Sequence, residues 1–270
     1  MPLQFAKGIL DNCVRAPTCN YAGFIVWHIV FLDFLFGLRS GNVFQRLEKI
    51  IGIESLNKIH DTKIMVIGIG GVGGYVVEAL VRSGVQNIIL VDFDVVDATN
   101  KNRQIIALDS TIGMKKVEAM KKRILDINKE CNITTIDTFL DSENTSQIIE
   151  KYNPDYVVDA CDTITTKKEI ITSCLKYNIK FISSMGTGNK LDPSRLQISE
   201  LFKTSYDPLA KILRKWAKDE RIKGKIPVIW SDEIPVKTHD RTPGSTSFVP
   251  SSAGLMIASY IINDIIKTSD

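Results

Sequence analysis

The segment GIGGVG at residues 68–73 has the glycine spacing of a loop that cradles a phosphate. Glycines let the backbone turn tightly and approach a phosphate, whose negative charge then lies at the N-terminus of the following helix. Asp92 follows Gly73 by 19 residues and ends a second apolar run, where a carboxylate can accept hydrogen bonds from ribose hydroxyls. Together these features predict a nucleotide site, although a glycine turn needed only for helix–sheet packing is the alternative. The loop glycines are Gly68, Gly70, Gly71 and Gly73.

Cationic side chains beyond Asp92 favour ATP over a dinucleotide. A nucleotide that loses pyrophosphate develops negative charge on the leaving oxygens, which Arg103 and Lys116 can stabilise. Asp162 follows a later strand pattern, and a carboxylate there can hold Mg²⁺ on the phosphates. Each side chain alone could be a solvated surface charge, so the prediction depends on their shared placement after successive strands. The stretch VDFDVVDATNKNRQ (91–104) adds Asp94, Asn100 and Gln104 to this set.

Alternating strand and helix patterns must position these side chains. Short apolar runs predict strands at 63–68, 87–92, 132–139, 155–160 and 180–184. Amphipathic runs between them predict helices at 72–84, 115–128, 143–151 and 165–177. This alternation predicts an α/β fold with a doubly wound, mostly parallel sheet, which binds ligands at the carboxyl ends of its strands.

The pattern changes after residue 184, which predicts an antiparallel C-terminal extension. Residues 195–201 alternate like an antiparallel strand, 226–230 form another strand, and 231–250 read as a long loop. A basic helix and turn are predicted at 207–225, and a buried helix at 252–266. We therefore divide the working domain, 43–270, into a nucleotide half at about 60–184 and a substrate half at about 185–270.

A concentration of positive charge lies in residues 203–225, where eight Lys and Arg residues face three acidic residues. Such a patch can hold RNA phosphates by releasing counterions. The alternative is a solvated amphipathic helix that buries Leu209, Ile212, Leu213 and Trp216. The candidates for contact with RNA or with a substrate are Lys190, Lys203, Lys211, Arg214 and Lys215.

Composition and cysteine usage exclude several classes of protein. The 270 residues are 44% hydrophobic and 24% charged, which excludes a disordered tail and a collagen-like fibre. The five cysteines form no Cys-x-x-Cys pair, which argues against a four-cysteine zinc site and a disulfide framework. Reduced cytoplasm is the expected compartment.

Residues 1–42 form an N-terminal extension with an apolar segment at 22–38, interrupted by His28 and Asp33. The run is at the short limit of a membrane span, and Asp33 would be costly in lipid. Three interpretations stay open: a membrane or interface anchor, an added buried helix, and an upstream translated segment with no role in the fold. Membrane association through 22–38 is thus the alternative location.

The motifs GIGGVGG (68–74), LVDFDVVDATNKNRQ (90–104), GMKKVEAMKKRILDIN (113–128) and VVDACDT (157–163) resemble the ubiquitin-activating-enzyme-like superfamily, which includes the ThiF and MoeB proteins. The resemblance implies a Rossmann-like nucleotide half and adenylation of a carboxylate with ATP and Mg²⁺. It assigns Asp92 to the ribose, Asp162 to magnesium, and Asn100, Arg103, Gln104 and Lys116 to the phosphates. Arg46 resembles an arginine that reaches a partner subunit's ATP site, which implies a homodimer.

The second half, at 182–211 and 247–265, resembles the branch of that superfamily that dehydrates threonylcarbamoyladenosine in tRNA. In that branch, ATP adenylates the threonine carboxylate, and the ureido group then displaces AMP to form a ring. The leading alternative is adenylation of a ubiquitin-like sulfur-carrier protein, which the missing Cys-x-x-Cys pairs oppose. A nicotinamide-dependent oxidoreductase and an inactive RNA or membrane scaffold are further rivals. A bound monovalent cation and cysteine desulfurase or sulfur-acceptor partners stay open.

Overall fold

The computed structural model describes residues 43–238 and 242–267. The predictions for residues 1–42, including the apolar segment 22–38 and its membrane alternative, lie outside the described residues. The larger compact unit of the chain is Leu47–Asp270. The proposed boundaries at 42/43 and 184/185 stay predictions.

The described residues contain seven strands and seven α-helices, numbered in chain order; α1 precedes the predicted elements, and the others follow the expected order. The strands are β1 (Lys63–Ile67), β2 (Asn87–Val91), β3 (Asn132–Ile136), β4 (Tyr156–Asp159), β5 (Lys180–Ser184), β6 (Leu196–Glu200) and β7 (Pro227–Ser231). The helices are α1 (Gln45–Asp61), α2 (Gly73–Arg82), α3 (Lys116–Ile127), α4 (Thr145–Tyr152), α5 (Ile164–Tyr177), α6 (Pro208–Asp219) and α7 (Phe248–Lys267).

The strands form one sheet in the order β3-β2-β1-β4-β5-β7-β6. Every neighbouring pair is parallel except β6 with β7, which is antiparallel. The chain leaves β1 toward β2 on one side and later returns to β4 on the other, so the strand order reverses between β1 and β4. Ligands bind at such a switch point in open α/β sheets. The prediction of a doubly wound, mostly parallel sheet with an antiparallel extension is confirmed.

Helices cover both faces of the sheet because successive strand residues point in opposite directions. On β1, Ile64 and Val66 belong to a core with α2, α3 and α7, whereas Met65 and Ile67 belong to a core with α5 and α6. All four side chains are at most 3% exposed. Two-sided burial explains why the strands read as continuous apolar runs in the sequence.

Helix α6 ends at Asp219, and a turn follows it, as expected for the helix and turn predicted at 207–225. Arg221 (φ 52°), directly after the C-cap Glu220, adopts a left-handed conformation that stops the helix. Ile212, expected on the buried face, is 45% exposed, whereas Leu213 is fully buried.

Helix α7 begins at Phe248, inside the predicted loop. By length and composition it could cross a membrane. However, half of its apolar window is buried, and Val249, Ala253 and Ile257 belong to the core beside α2. These contacts are those of a core helix.

Candidate active site

The glycine loop joins β1 to α2 at the point where the strand order reverses. Gly68 has φ 89°, its amide donates to the Val91 carbonyl at 2.8 Å, and a Cβ there would lie 2.7 Å from the Ala160 oxygen. A Cβ on Gly73 would lie 1.8 Å from the Gly68 oxygen. Both glycines are therefore required by close backbone approach. Val72 at the N-cap of α2 supplies no capping side chain, so the helix presents backbone amides to the cleft.

Asp92 ties this loop to the end of β2. Its Oδ2 accepts from the Ile69 amide at 2.6 Å and its Oδ1 from the Asp94 amide at 2.9 Å. The side chain is buried, and sequence reasoning missed this structural role. A carboxylate has about four lone-pair sites, so hydrogen bonds from ribose hydroxyls are still compatible with these contacts. The predicted ribose role stays a prediction.

Asp94 and Lys116 form an ion pair at the start of α3. The Lys116 ammonium donates to Asp94 Oδ2 at 2.7 Å, and the Lys116 amide donates to the Asp94 carbonyl at 3.0 Å. The Lys116 side chain is 8% exposed and that of Asp94 is 46% exposed. The pair holds a positive charge at the cleft in a partly desolvated setting, where it acts more strongly on a phosphate than in water.

Arg103 and Gln104 follow a short 3₁₀ helix, Ala98–Asn100, that brings the chain back to the glycine loop. Asn100 Oδ1 accepts from the Asp97 amide at 3.1 Å, so this oxygen folds the turn. The Arg103 guanidinium donates to the Thr99 carbonyl at 3.0 Å. Gln104 is buried, and its Oε1 has no hydrogen-bond partner among the described residues. A buried acceptor of this kind is where a ligand donor is expected.

One cleft of about 510 Å³ brings the predicted nucleotide residues together. Asp162 is exposed, and its Oδ1 accepts a long 3.4 Å contact from the Thr163 hydroxyl. Across 43–238 and 242–267, no group of three or more His, Cys, Asp or Glu side chains could hold a metal ion. The predicted residues that line the cleft are Gly68, Gly70, Gly71, Asp92, Asp94, Asn100, Arg103, Gln104, Lys116 and Asp162.

Two exposed aromatic rings in the cleft were missed by sequence reasoning. Phe93 and Phe139 follow β2 and β3, and their centroids lie 5.0 Å apart at an interplanar angle of 89°. Both line the cleft. A large apolar residue just beyond a strand, as Phe93 is after β2 and Asp92, is the signal that the sequence offers.

Lys190 is a correction to the sequence prediction, since its ammonium does not face solvent. It donates to the Gly186 carbonyl at 2.8 Å and to Asp207 Oδ2 at 3.0 Å, and its side chain is 1% exposed. A contact between Lys190 and tRNA or the substrate carboxylate is incompatible with this burial. The lysine instead fixes the backbone of Gly186, which lines the cleft.

A second buried ammonium holds the same cleft wall. Lys167 donates to both oxygens of Asp159 at 3.0 Å and to the Ser184 carbonyl at 2.8 Å. Lys167 and Asp159 are fully buried, and Asp159 also accepts from the Ser183 hydroxyl at 2.5 Å. Because Ser184 and Gly186 line the cleft, two buried lysines fix the segment that faces the glycine loop. No sequence signal identified this role.

The other basic candidates lie on or beside α6. Lys203, Lys211 and Lys215 are exposed, whereas Arg214 is half-buried and donates to the Thr204 carbonyl at 3.0 Å. Three of the predicted tRNA-contacting cations are thus available to solvent, and Arg214 supports the preceding turn. Their contact with tRNA stays a prediction.

Arg46 lies near the start of α1 and is exposed. It belongs to the smaller unit, Met1–Arg46. Its predicted contact with a partner subunit's ATP site stays a prediction, because that contact involves a second chain.

The cysteines nearest the cleft are not activated. Burial raises the pKa of the Cys161 and Cys174 thiols far above the ordinary value, and the Asp159 charge raises both further. Cys161 donates to Asp159 Oδ1 at 3.0 Å. A thiol needs to ionise to act as a nucleophile, so neither cysteine is prepared for that chemistry.

Comparison with known proteins identifies the group to which this sequence belongs. The sequence profile of the ThiF family matches residues 44–239. The chain belongs to the ThiF family. This ThiF-family chain is 43% identical to the tRNA threonylcarbamoyladenosine dehydratase of Bacillus subtilis over 241 residues, which are 83% of this chain and 94% of the relative. Its identity to the Escherichia coli dehydratase is 40% over 172 residues, 64% of each chain.

Solved structures agree with the fold. The crystal structure of E. coli tRNA N6-threonylcarbamoyladenosine dehydratase, TcdA, in complex with ATP has a TM-score of 0.79 at 34% identity and covers 84% of this chain and 94% of that one. The complex of the same enzyme with AMP has a TM-score of 0.78 and covers 82% and 93%. E. coli MccB, at 20% identity and a TM-score of 0.61, shares the fold alone. The predicted superfamily and its dehydratase branch are confirmed for this ThiF-family chain.

Proposed function

We propose that this chain is an ATP-dependent dehydratase that cyclises N6-threonylcarbamoyladenosine in tRNA through an adenylated carboxylate. The observation that carries the proposal is the 43% identity to the B. subtilis dehydratase along 94% of that protein. The cleft supports the proposal because it combines a glycine loop with Arg103 and Lys116, which is the composition that adenylation requires. Cytoplasmic location follows from the substrate.

Adenylation requires the substrate carboxylate to attack the α-phosphorus of ATP while the bond to the pyrophosphate oxygen breaks. In this proposal the amides at the start of α2 hold the phosphates, and Arg103 and Lys116 face the oxygens that gain charge. Asp92 orients the ribose, and the Phe93 and Phe139 rings pack against the base. The side-chain NH₂ groups of Asn100 and Gln104 complete the phosphate side as donors.

Cyclisation then needs orientation more than an enzymic nucleophile. The ureido group of the modification attacks the activated carbonyl, loses a proton, and displaces AMP, which carries away a carboxylate oxygen. The tRNA thereby loses the atoms of one water. An attacking group on the same nucleotide acts at high effective concentration, which explains why the raised pKa of Cys161 is no handicap.

Mg²⁺ fits the residues present, provided that phosphate oxygens complete its coordination. Asp162 offers one exposed carboxylate in the cleft, and Mg²⁺ is commonly held by one or two carboxylates together with substrate phosphates. When bound, Mg²⁺ would offset phosphate charge. Replacing K⁺ by a bulky organic cation in the activity assay would test for a monovalent site.

A homodimer with Arg46 at the partner's site follows from the family resemblance and is tested by sedimentation velocity. The sulfur-acceptor partners and the membrane contact stay predictions, with no support from the residues that the structure describes.

The deciding experiment incubates the chain with threonylcarbamoyl-modified tRNA, ATP and Mg²⁺ and measures the nucleoside mass. We expect the loss of one water and formation of AMP. Arg103→Ala and Lys116→Ala are each expected to slow this reaction about 100- to 1,000-fold, the usual effect of losing one charge-stabilising donor. Lys180→Ala, on an exposed ion pair with Asp264, is the matched control.

Two outcomes would reject the proposal. AMP formation without a change in tRNA mass would show that the substrate is wrong. Pyrophosphate exchange that requires a small carrier protein and ignores tRNA would favour the sulfur-carrier alternative.

A further inference from the structure

Two aromatic side chains between β6 and α6 are unusually exposed for their size. Phe202 is 56% exposed and Tyr206 is 66% exposed. The residues between and beside them are anchored, since Leu201, Thr204 and Asp207 are each at most 7% exposed. The segment therefore holds its backbone in the protein while it presents two large rings to solvent.

Tyr206 adopts a left-handed backbone conformation with φ 53°. This region is unfavourable for a bulky L residue, and it persists only where the surroundings impose it. Here the neighbours on both sides impose it. The Thr204 carbonyl accepts from Arg214 at 3.0 Å, and Asp207 Oδ1 caps α6 by accepting from the Ala210 amide at 2.9 Å. The strained turn aims the Tyr206 side chain outward instead of into the core.

The turn is also tied to the candidate active site. Asp207 Oδ2 accepts from the buried Lys190 ammonium, which in turn donates to the carbonyl of Gly186 on the cleft wall. Leu209, two residues after Asp207, lines the cleft itself. The exposed rings are thus fixed relative to the cleft through a short series of buried contacts.

Positive charge surrounds this segment. Lys203 lies between the two aromatics in sequence, and Lys211 and Lys215 lie one turn apart on the exposed side of α6. Cations together with exposed aromatic rings are the combination by which proteins bind single-stranded nucleic acid, because cations contact phosphates and rings stack on bases. An apolar protein partner would not need the cations.

We propose that Phe202 and Tyr206 form a stacking platform for unpaired tRNA loop bases that flank the nucleotide in the cleft. This inference rests on the proposed function, since it takes tRNA as the substrate. It adds the residues that bind bases outside the reaction centre. The rings serve binding, and the cleft residues serve the chemistry.

Substitutions at Tyr206 can distinguish the contribution of the aromatic ring from that of the left-handed backbone. Tyr206→Phe keeps the ring, whereas Tyr206→Asn removes it and retains a residue that tolerates the left-handed conformation. Phe202→Leu removes the second ring and keeps apolar volume. Dissociation constants are measured by fluorescence anisotropy for threonylcarbamoyl-modified tRNA and for ATP, with thermal unfolding of each variant.

We expect Tyr206→Phe to bind tRNA within about 2-fold of the wild type. Tyr206→Asn is expected to bind it about 5- to 150-fold more weakly, the effect of losing one base stack, with unchanged ATP affinity and melting temperature. Phe202→Leu is expected to weaken binding in the same direction.

Wild-type tRNA affinity in a folded Tyr206→Asn variant would overturn the platform and leave the proposed function intact. Parallel loss of ATP binding and thermal stability would also overturn it, because the ring would then be structural. A change of oligomeric state in Tyr206→Asn would identify the surface as a contact between copies of the chain. Failure of the wild type to bind or dehydrate tRNA would instead reject the proposed function.

Discussion

Replacing Lys167 by Met tests whether the buried ion pair with Asp159 is a stability element of the cleft wall. The substitution keeps the volume of the side chain and removes an ammonium that makes two 3.0 Å bonds to Asp159 and one 2.8 Å bond to the Ser184 carbonyl. Asp159 is fully buried and would keep the hydrogen bond from the Ser183 hydroxyl but lose the ammonium that pairs with its charge.

The expected cost follows from this burial. Removing one partner of a buried ion pair destabilises a protein by about 3–5 kcal/mol, because an uncompensated charge is left behind. For a domain of this size, each kcal/mol lowers the melting temperature by roughly 2–4 °C, so Lys167→Met should melt roughly 6–20 °C lower. Lys167→Met combined with Asp159→Asn removes both charges and should recover most of the loss, leaving a deficit of about 1–2 kcal/mol for the Ser184 carbonyl without a donor.

Urea unfolding monitored by far-UV circular dichroism measures these free energies. Lys180→Met is the matched control, because Lys180 pairs with Asp264 at a similar 2.8 Å but is 51% exposed, and should cost less than about 1 kcal/mol. A loss below about 1 kcal/mol for Lys167→Met, or a double variant as unstable as the single one, would refute the reasoning.

Three further predictions concern other parts of the fold. Burial alone would raise the pKa of Glu78, but the hydrogen bonds and charges of Arg123 and Arg82 outweigh it and hold that pKa below its ordinary 4.5. The stability that this carboxylate contributes is therefore present above about pH 4.5 and is lost as the pH falls through the lower folded pKa. In the Glu78→Gln variant, the free energy of unfolding should therefore decrease less steeply as the pH falls below about 4.5. Gly68→Ala should abolish ATP binding in a calorimetric titration, since its Cβ would lie 2.7 Å from a backbone oxygen at φ 89°; wild-type affinity would show that the loop can shift. Cys161→Ala should retain at least about half of the dehydratase activity at pH 7.5, because burial raises the thiol pKa far above that pH, and a total loss in a folded variant would reveal a covalent role.

Local sequence signals are sufficient to predict the sheet and the residues on the nucleotide side of the cleft. The glycine loop and Asp92 follow the ends of β1 and β2, so placing the strands also places these residues at the same sheet edge, and Lys116 begins the helix after β2. Buried strands and capped helices leave continuous apolar runs and glycine stops, which are readable without knowledge of distant contacts.

The substrate side is harder to predict from the sequence, because its contacts join residues that are far apart along the chain. Lys190 looked like a surface cation, yet it is buried by Asp207, 17 residues away, and by the Ser231 carbonyl, 41 residues away. Nothing near Lys190 in the sequence encodes those partners. The burial of Lys167 is equally hidden in the sequence. Its ammonium pairs with Asp159 from the preceding strand and donates to the carbonyl of Ser184 from the next strand.

The two sides of the cleft present different chemical groups to a ligand, and the proposed chemistry explains the difference. The nucleotide side presents backbone amides and partly exposed charges, which suit a ligand that brings several negative charges. The opposite wall is fixed by Lys167 and Lys190. Their ammonium groups are bonded to backbone carbonyls and buried carboxylates, so they offer no charge to the substrate. A reaction whose nucleophile belongs to the substrate needs a wall that holds one geometry, because cyclisation depends on the distance between ureido group and activated carbonyl. We therefore expect a folded, charge-free Lys190→Met/Asp207→Asn variant to bind ATP normally but to cyclise the tRNA more slowly at saturating tRNA. Turnover equal to that of the wild type would show that the wall only stabilises the fold.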